Sequence, residues 1–406
     1  MRRKNLIGPF SLLCLAPFLV HAGGNSDVPH KTRSDAQLGH PSSQIRLNAL
    51  TRILLGGVHQ SLLVQGKNES NPVLLFLHGG PGVPIIPFVR DFDVTGKLQE
   101  RFLIAYWDQR GAGTSYHPDI PPASMNIEQF LADTHELVEL LRARFRTAKV
   151  YLVGHSWGSI LGALTVARHP ELFHAYVGIG QAVDLQENEK ASYQFAFDAA
   201  VKTENHRALR QLTAIGPPPY KSYKDMLLER RWVERFGGGS RFNRNNSLFP
   251  VGIGGTAESS SALPFMNMLD WLHGPYFSLE HLWDELQRVN LFQQVSTMEV
   301  PTYFLAGKHD YYAPSRIAYQ YYQALHAPQG KTFIWFEHSA HAPPTEEPEK
   351  FSDILINRVL RDTYPSLKKA HQKNEAGENR KPSLRGASPT KQSLPEQANI
   401  ASLRSQ

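Results

Sequence analysis

Gly154-His155-Ser156-Trp157-Gly158 is the segment of this sequence whose residue types can make and break covalent bonds. It follows an apolar run ending at Val153 and precedes a stretch of helical character beginning near Gly158. A serine at such a strand-to-helix turn stands on a sharp bend, and the residues two before and two after it must be small so that strand and helix can approach. Gly154 and Gly158 meet that requirement. A serine hydroxyl is too weakly acidic to attack at neutral pH, so it needs a base and a group that orients the base. Two later segments offer them. Ala306-Gly307-Lys308-His309-Asp310 follows the apolar run ending at Leu305, and Glu337-His338-Ser339-Ala340-His341 follows the run ending at Phe336. On this reading Ser156 is the nucleophile, His341 the general base and Asp310 its orienting acid.

Other residues compete for these roles. His338 and His309 stand close by as alternative bases, and Asp184 follows another apolar run as an alternative acid. His155 is fixed beside the nucleophile and is read as packing at the turn. Acyl transfer also needs donors aimed at the developing oxyanion. The backbone N–H of Trp157, directly after the nucleophile, is one. Gly80, within His78-Gly79-Gly80-Pro81-Gly82, is the choice for the second, the alternative being a plain tight turn. The histidines are scattered, and Cys14 is the single cysteine of the chain. No zinc-type spacing and no phosphate-binding glycine loop follow from this, so no metal and no cofactor are expected.

These residues need a scaffold. Near-continuous apolar runs at residues 73–77, 102–106, 150–153, 175–179, 302–305 and 332–336 suit parallel strands covered on both faces. Residues 126–144 have helical spacing, with Phe130, Leu137, Leu140 and Leu141 on one face and Asp133, Glu136 and Glu139 elsewhere. Strands alternating with helices predict an α/β fold with a mostly parallel central sheet flanked by helices. Between Gln181 and Glu299 the strand rhythm stops. That interval, with Pro217-Pro218-Pro219 and Gly237-Gly238-Gly239, reads as an inserted, mainly helical cap over the strand ends.

With the segment Asp108-Gln109-Arg110-Gly111-Ala112-Gly113-Thr114-Ser115 added, the motifs at 78–82 and 154–158 resemble the proline iminopeptidase family of α/β-hydrolases. The resemblance covers roughly residues 55–180 and 300–360. It implies an α/β-hydrolase fold, release of N-terminal proline, and Ser156, Asp310, His341, Gly80 and Trp157 in the roles reached above. Asp108–Ser115 reads as a structural turn supporting the site. The resemblance weakens in the cap, where family members hold the substrate amine with carboxylates. Glu187, Glu189, Glu204, Asp225, Glu229 and Glu234 are candidates, and Glu187 and Glu189 are the chosen pair. The expected activity is that of a serine hydrolase working through an acyl-enzyme, an aminopeptidase releasing proline or another small residue from short peptides. The alternatives are a carboxylesterase or other ester or amide hydrolase on the same scaffold, and a binding protein that has lost the chemistry.

The 406 residues are 41% hydrophobic, ordinary for a globular enzyme. The net charge of +6 arises at the ends: Arg2, Arg3 and Lys4 at the start, and eight Lys/Arg against three Asp/Glu beyond Thr363. The body is close to neutral, which gives no reason to expect nucleic-acid binding. Residues 1–22 read as a signal peptide, with a basic start, an apolar stretch from Leu6 to Val20 and small residues around Ala22. A retained anchor is the alternative, disfavoured by Pro9 and Pro17 and by the short apolar run. The expectation is a periplasmic or secreted enzyme with no stable membrane insertion after cleavage. Residues 23–44 read as a flexible linker, 45–181 and 300–362 as the two parts of the catalytic core, 182–299 as the cap, and 363–406 as a disordered basic tail. Oligomeric state is not legible.

Overall fold

The computed structural model describes residues 41–241 and 268–365. The readings of a signal peptide, of most of the linker and of nearly all of the tail lie outside these residues. The last four linker residues, Pro41–Gln44, form a 3-10 turn instead of flexible chain.

Eight strands form one sheet: β1 (Leu50–Leu55), β2 (Val58–Gln65), β3 (Val73–Leu77), β4 (Leu103–Asp108), β5 (Val150–His155), β6 (Phe173–Ile179), β7 (Thr302–Gly307) and β8 (Lys331–Phe336). Their spatial order is β1-β2-β4-β3-β5-β6-β7-β8. From β4 to β8 all neighbours are parallel, and β1 and β2 join as antiparallel strands. The apolar runs match the parallel strands to within a few residues. The β1–β2 hairpin is not among the expected strands. Its burial alternates along β1, and Gly56 and Gly57, both at positive φ, make the two-residue turn.

Alternate side chains of the buried strands feed two separate cores. Leu75, Leu77 and Leu152 enter one, while Leu74, Phe76, Tyr151 and Val153 enter the other. Helices α1 (Ile127–Phe145) and α2 (Trp157–Arg168) cover the first of these faces. Asn126 caps α1 by accepting from the Gln129 N–H. One helix residue overturns the amphipathic reading: Asp133 is fully buried rather than on the outer face. It accepts both Nε and Nη2 of Arg110, itself fully buried, in a two-pronged ion pair. Arg110 Nη2 also donates to the Leu55 and Gly56 carbonyls, tying the Asp108–Ser115 segment to the hairpin.

Between β6 and β7 the described residues are helical: α3 (Leu185–Lys202), α4 (His206–Ile215), α5 (Tyr223–Arg235) and α6 (Met268–Leu286). Ala196, Ala200, Ala208, Leu212 and Val233 form a small core of their own among α3, α4 and α5. Helix α7 (Ser315–Ala324) then connects β7 to β8. The chain leaves β3 to form β4 on one side and β5 on the other, so the crevice at the C-terminal ends of β3 and β5 is the place where open α/β sheets bind ligands.

Candidate active site

The segments singled out in the sequence all leave the C-terminal ends of strands. His78–Gly82 follows β3, Asp108–Ser115 closes β4, Ser156 follows β5, Asp310 follows β7 and His341 follows β8. Ser156 has φ 55° and ψ −118°, a strained conformation for a residue with a side chain. The neighbouring glycines are required by contact. A Cβ on Gly154 would lie 2.2 Å from the Gly158 carbonyl oxygen, and one on Gly158 would lie 2.1 Å from that of Leu77. Strand β5 and helix α2 therefore meet backbone to backbone, and Ser156 is left half-buried at the crest.

His341 is buried, and its Nδ1 lies 2.8 Å from Asp310 Oδ2. Asp310 Oδ1 accepts the backbone N–H groups of Tyr312 and Ala313, each at 2.9 Å, so the carboxylate is fixed by three bonds. The loop carrying His341 is held by two glutamates from the turn beyond it. Glu346 accepts the Ala340 and Arg241 N–H groups, and Glu347 accepts the His338 N–H and the Ser339 hydroxyl. The His341 N–H donates to Gly239 O, and Tyr311 N–H to Gly238 O, which gives the glycine run a role as a strap across both loops. Ser156 and His341 open onto one cavity of about 230 Å³, which Gly80 and Trp157 also line.

The rivals fall elsewhere. His338 is exposed, and the His309 ring is engaged by the Glu337 backbone. Asp184 caps α3 through the Glu187 N–H and accepts from Asn290 Nδ2. His155 is buried against His341, with Nε2 donating to the His341 carbonyl at 2.8 Å; burial pushes its pKa down to about 3 and keeps it neutral.

The Asp108–Ser115 segment braces the segments that hold Gly80 and Trp157. Asp108 accepts the Ile85 and Ile86 N–H groups, and burial lifts its pKa to about 7. The Gln109 N–H donates to His78 Nε2 at 2.9 Å, which leaves His78 Nδ1 to donate to Gly79 O. Burial lowers the His78 pKa to about 4, so this neutral tautomer persists at physiological pH. Gln109 Nε2 donates to His78 O, and Gln109 Oε1 accepts the Trp157 indole N–H.

Of the two cap glutamates chosen from sequence, the structure keeps one at the cavity. Glu187 is exposed and ion-paired with Lys190 at 2.7 Å, one helical turn away on the outside of α3. The reading fails there because residues two apart on a helix point about 200° apart, to nearly opposite faces. Glu189 lines the cavity. Its Oε1 accepts from Arg230 Nη2, while Arg230 Nη1 donates to Glu229 Oε2 and to Ser192 Oγ. Burial raises both carboxyl pKa values against the pull of Arg230, that of Glu229 to about 7. With both carboxylates ionised the trio carries one net negative charge. Glu229 and Glu234, candidates outside the chosen pair, do not line the cavity but each touches a residue that does, Arg230 and Tyr312 respectively. Glu234 accepts the Tyr312 hydroxyl at 3.0 Å, and burial lifts its pKa to about 7. Tyr312 joins the two halves of the site, with its ring edge-on to His341 and beneath the Arg230 guanidinium. Among the described residues no group of three or more His, Cys, Asp or Glu is arranged to hold a metal.

Residues 72–348 match the model of the α/β hydrolase fold family. The chain belongs to that family. It is 40% identical over 307 residues to the probable aminopeptidase YbaC of Bacillus subtilis (strain 168), covering 75% of this chain and 94% of that protein. It is 34% identical over 110 residues to the proline iminopeptidase of Lactobacillus acidophilus, covering 27% of this chain and 35% of that one. Among solved structures, a proline iminopeptidase-related protein from Thermus thermophilus superposes with a TM-score of 0.54 at 18% identity, over 79% of this chain and 99% of that one. The likeness to aminopeptidase-named relatives supports a hydrolase of the peptidase kind.

Proposed function

We propose that the protein is a serine aminopeptidase that releases an N-terminal residue, proline or another small residue, from short peptides through an acyl-enzyme. The observation that carries the reading is the shared cavity: Ser156 and His341 face it together, with the imidazole held at Nδ1 by Asp310. Ser156 Oγ attacks the peptide carbonyl as His341 Nε2 takes its proton. Asp310 fixes the tautomer and stabilises the imidazolium. The N–H groups of Gly80 and Trp157 receive the oxyanion; Trp157 opens α2, where the first N–H groups have no partner within the helix. His341 returns the proton to the leaving amine, and water then hydrolyses the acyl-enzyme. In the same cavity, Glu189 and its partners provide the negative charge that a buried α-ammonium needs.

Export is part of this reading, supported by the basic and apolar start of the sequence. Recovery of a chain beginning after Ala22 outside the cytoplasm tests it. The activity itself is tested with prolyl- and alanyl-4-nitroanilides, their N-acetylated forms and a short-chain nitrophenyl ester. Cleavage of free-amine substrates, absent in Ser156→Ala at unchanged melting temperature, is expected. Turnover retained in Ser156→Ala sinks the nucleophile, and cleavage of the ester alone transfers the protein to the carboxylesterases.

A further inference from the structure

The cavity onto which Ser156 opens is also lined by residues with buried polar atoms that have no hydrogen-bond partner in the protein: Glu189 Oε2, both amide atoms of Asn188, the Tyr220 hydroxyl and Trp283 Nε1. Asn188 is 1% and Tyr220 4% exposed, so neither is satisfied by bulk solvent. A buried polar group without a partner is costly, and a concentration of them along one ligand cavity marks groups that a ligand completes. Three of these atoms accept hydrogen bonds: Glu189 Oε2, Asn188 Oδ1 and Tyr220 Oη. Asn188 and Glu189 are consecutive on α3. Tyr220 lies close enough to Glu189 and Glu229 that both carboxylates, after burial itself, hold its phenolic proton more tightly.

The number of acceptors discriminates between amines. A primary α-ammonium presents three N–H donors, whereas the ring nitrogen of an N-terminal proline presents two. We propose that the Asn188–Glu189–Tyr220 wall is a recognition site for a primary α-ammonium, and that the enzyme therefore prefers N-terminal residues such as alanine over proline. This rests on the aminopeptidase reading and names its substrate class. A secondary ammonium leaves one acceptor buried and unpaired, and sites built to pair a substrate N–H discriminate strongly against analogues lacking it.

The test compares kcat/KM of the full chain for alanyl-, N-methylalanyl- and prolyl-4-nitroanilide, with N-acetylalanyl-4-nitroanilide as the control. N-Methylalanyl differs from alanyl at the nitrogen alone. The alanyl substrate is expected to exceed both secondary amines by about tenfold to a hundredfold, the worth of one hydrogen bond to a charged group. Tyr220→Phe and Asn188→Leu are expected to bring the alanyl to N-methylalanyl ratio towards one. A prolyl or N-methylalanyl rate equal to or above the alanyl rate overturns the inference while leaving the aminopeptidase standing. Equal cleavage of the N-acetylated control overturns both. The wild-type ratios decide the matter even if a variant fails to fold.

Discussion

Trp157 donates its indole N–H to Gln109 Oε1 at 2.9 Å, and the same glutamine holds His78 through its backbone N–H and its side-chain amide. One buried side chain thus spans the two segments whose N–H groups are assigned to the oxyanion. Gln109→Met keeps the volume and removes the bridge. Because only the transition state uses both donors fully, kcat is expected to fall by about tenfold to a hundredfold with little change in KM. A KM rise at constant kcat would assign Gln109 to ground-state binding instead.

The bond between His341 Nδ1 and Asp310 Oδ2 makes the proposed base dependent on one tautomer. An amide at position 310 can donate to Nδ1 and so favours the wrong tautomer. For Asp310→Asn we expect kcat to fall by about 10⁴-fold, with geometry and melting temperature nearly preserved. Steady-state rates on a free-amine anilide measure this; a loss under about tenfold would point to another acid.

Arg110 and Asp133 are both fully buried, and Arg110 donates two hydrogen bonds to the Asp133 carboxylate. Removing one partner strands the other charge, so Arg110→Met or Asp133→Asn should each cost about 3–5 kcal/mol. The double variant Arg110→Met/Asp133→Asn should be less destabilised than the sum of the single effects, since no charge remains to be stranded. Urea unfolding of the cycle gives the coupling, and strict additivity would mean that the pair is not coupled in the folded state.

Burial moves the Glu234 carboxyl from its ordinary 4.5 to about 7. Between those values the folded protein binds more protons at this site than the unfolded chain, so the site's contribution to stability falls as pH rises. Glu234→Gln abolishes that slope. The melting temperature of the variant relative to wild type should rise from pH 4.5 to about pH 7 and then level off. A difference that stays constant with pH would show that the carboxyl is not displaced.

Much of this arrangement is legible in the sequence because the residues involved are constrained locally. Gly154 and Gly158 are dictated by a backbone contact one turn wide, and the strand-end positions of Asp310 and His341 follow from apolar runs. What escapes depends on contacts far apart in sequence. Asp133 is a buried anion only because Arg110, 23 residues earlier, reaches it. Glu187 and Glu189 are the same residue type on one helix, and only Glu189 lies on the face that meets the Arg230 of another helix. The hairpin β1–β2 escapes although Gly56-Gly57 signals its turn, because β2 is buried over most of its length and lacks clean alternation.

The Glu189–Arg230–Glu229 trio also bears on how readily this scaffold changes its diet. The same three side chains add a polar tie between helices α3 and α5, beside their apolar core, and supply the charge of the cavity, but the two roles are separable. With Glu189 replaced by glutamine, Arg230 keeps Glu229 as a neutral pair and the cavity loses its net charge. The wall that calls for a cation then accepts an uncharged acyl group, with Ser156, Asp310 and His341 untouched. If the proposed aminopeptidase reading holds, one codon change at Glu189 is expected to shift preference from free-amine peptides towards uncharged esters, with the triad left in place.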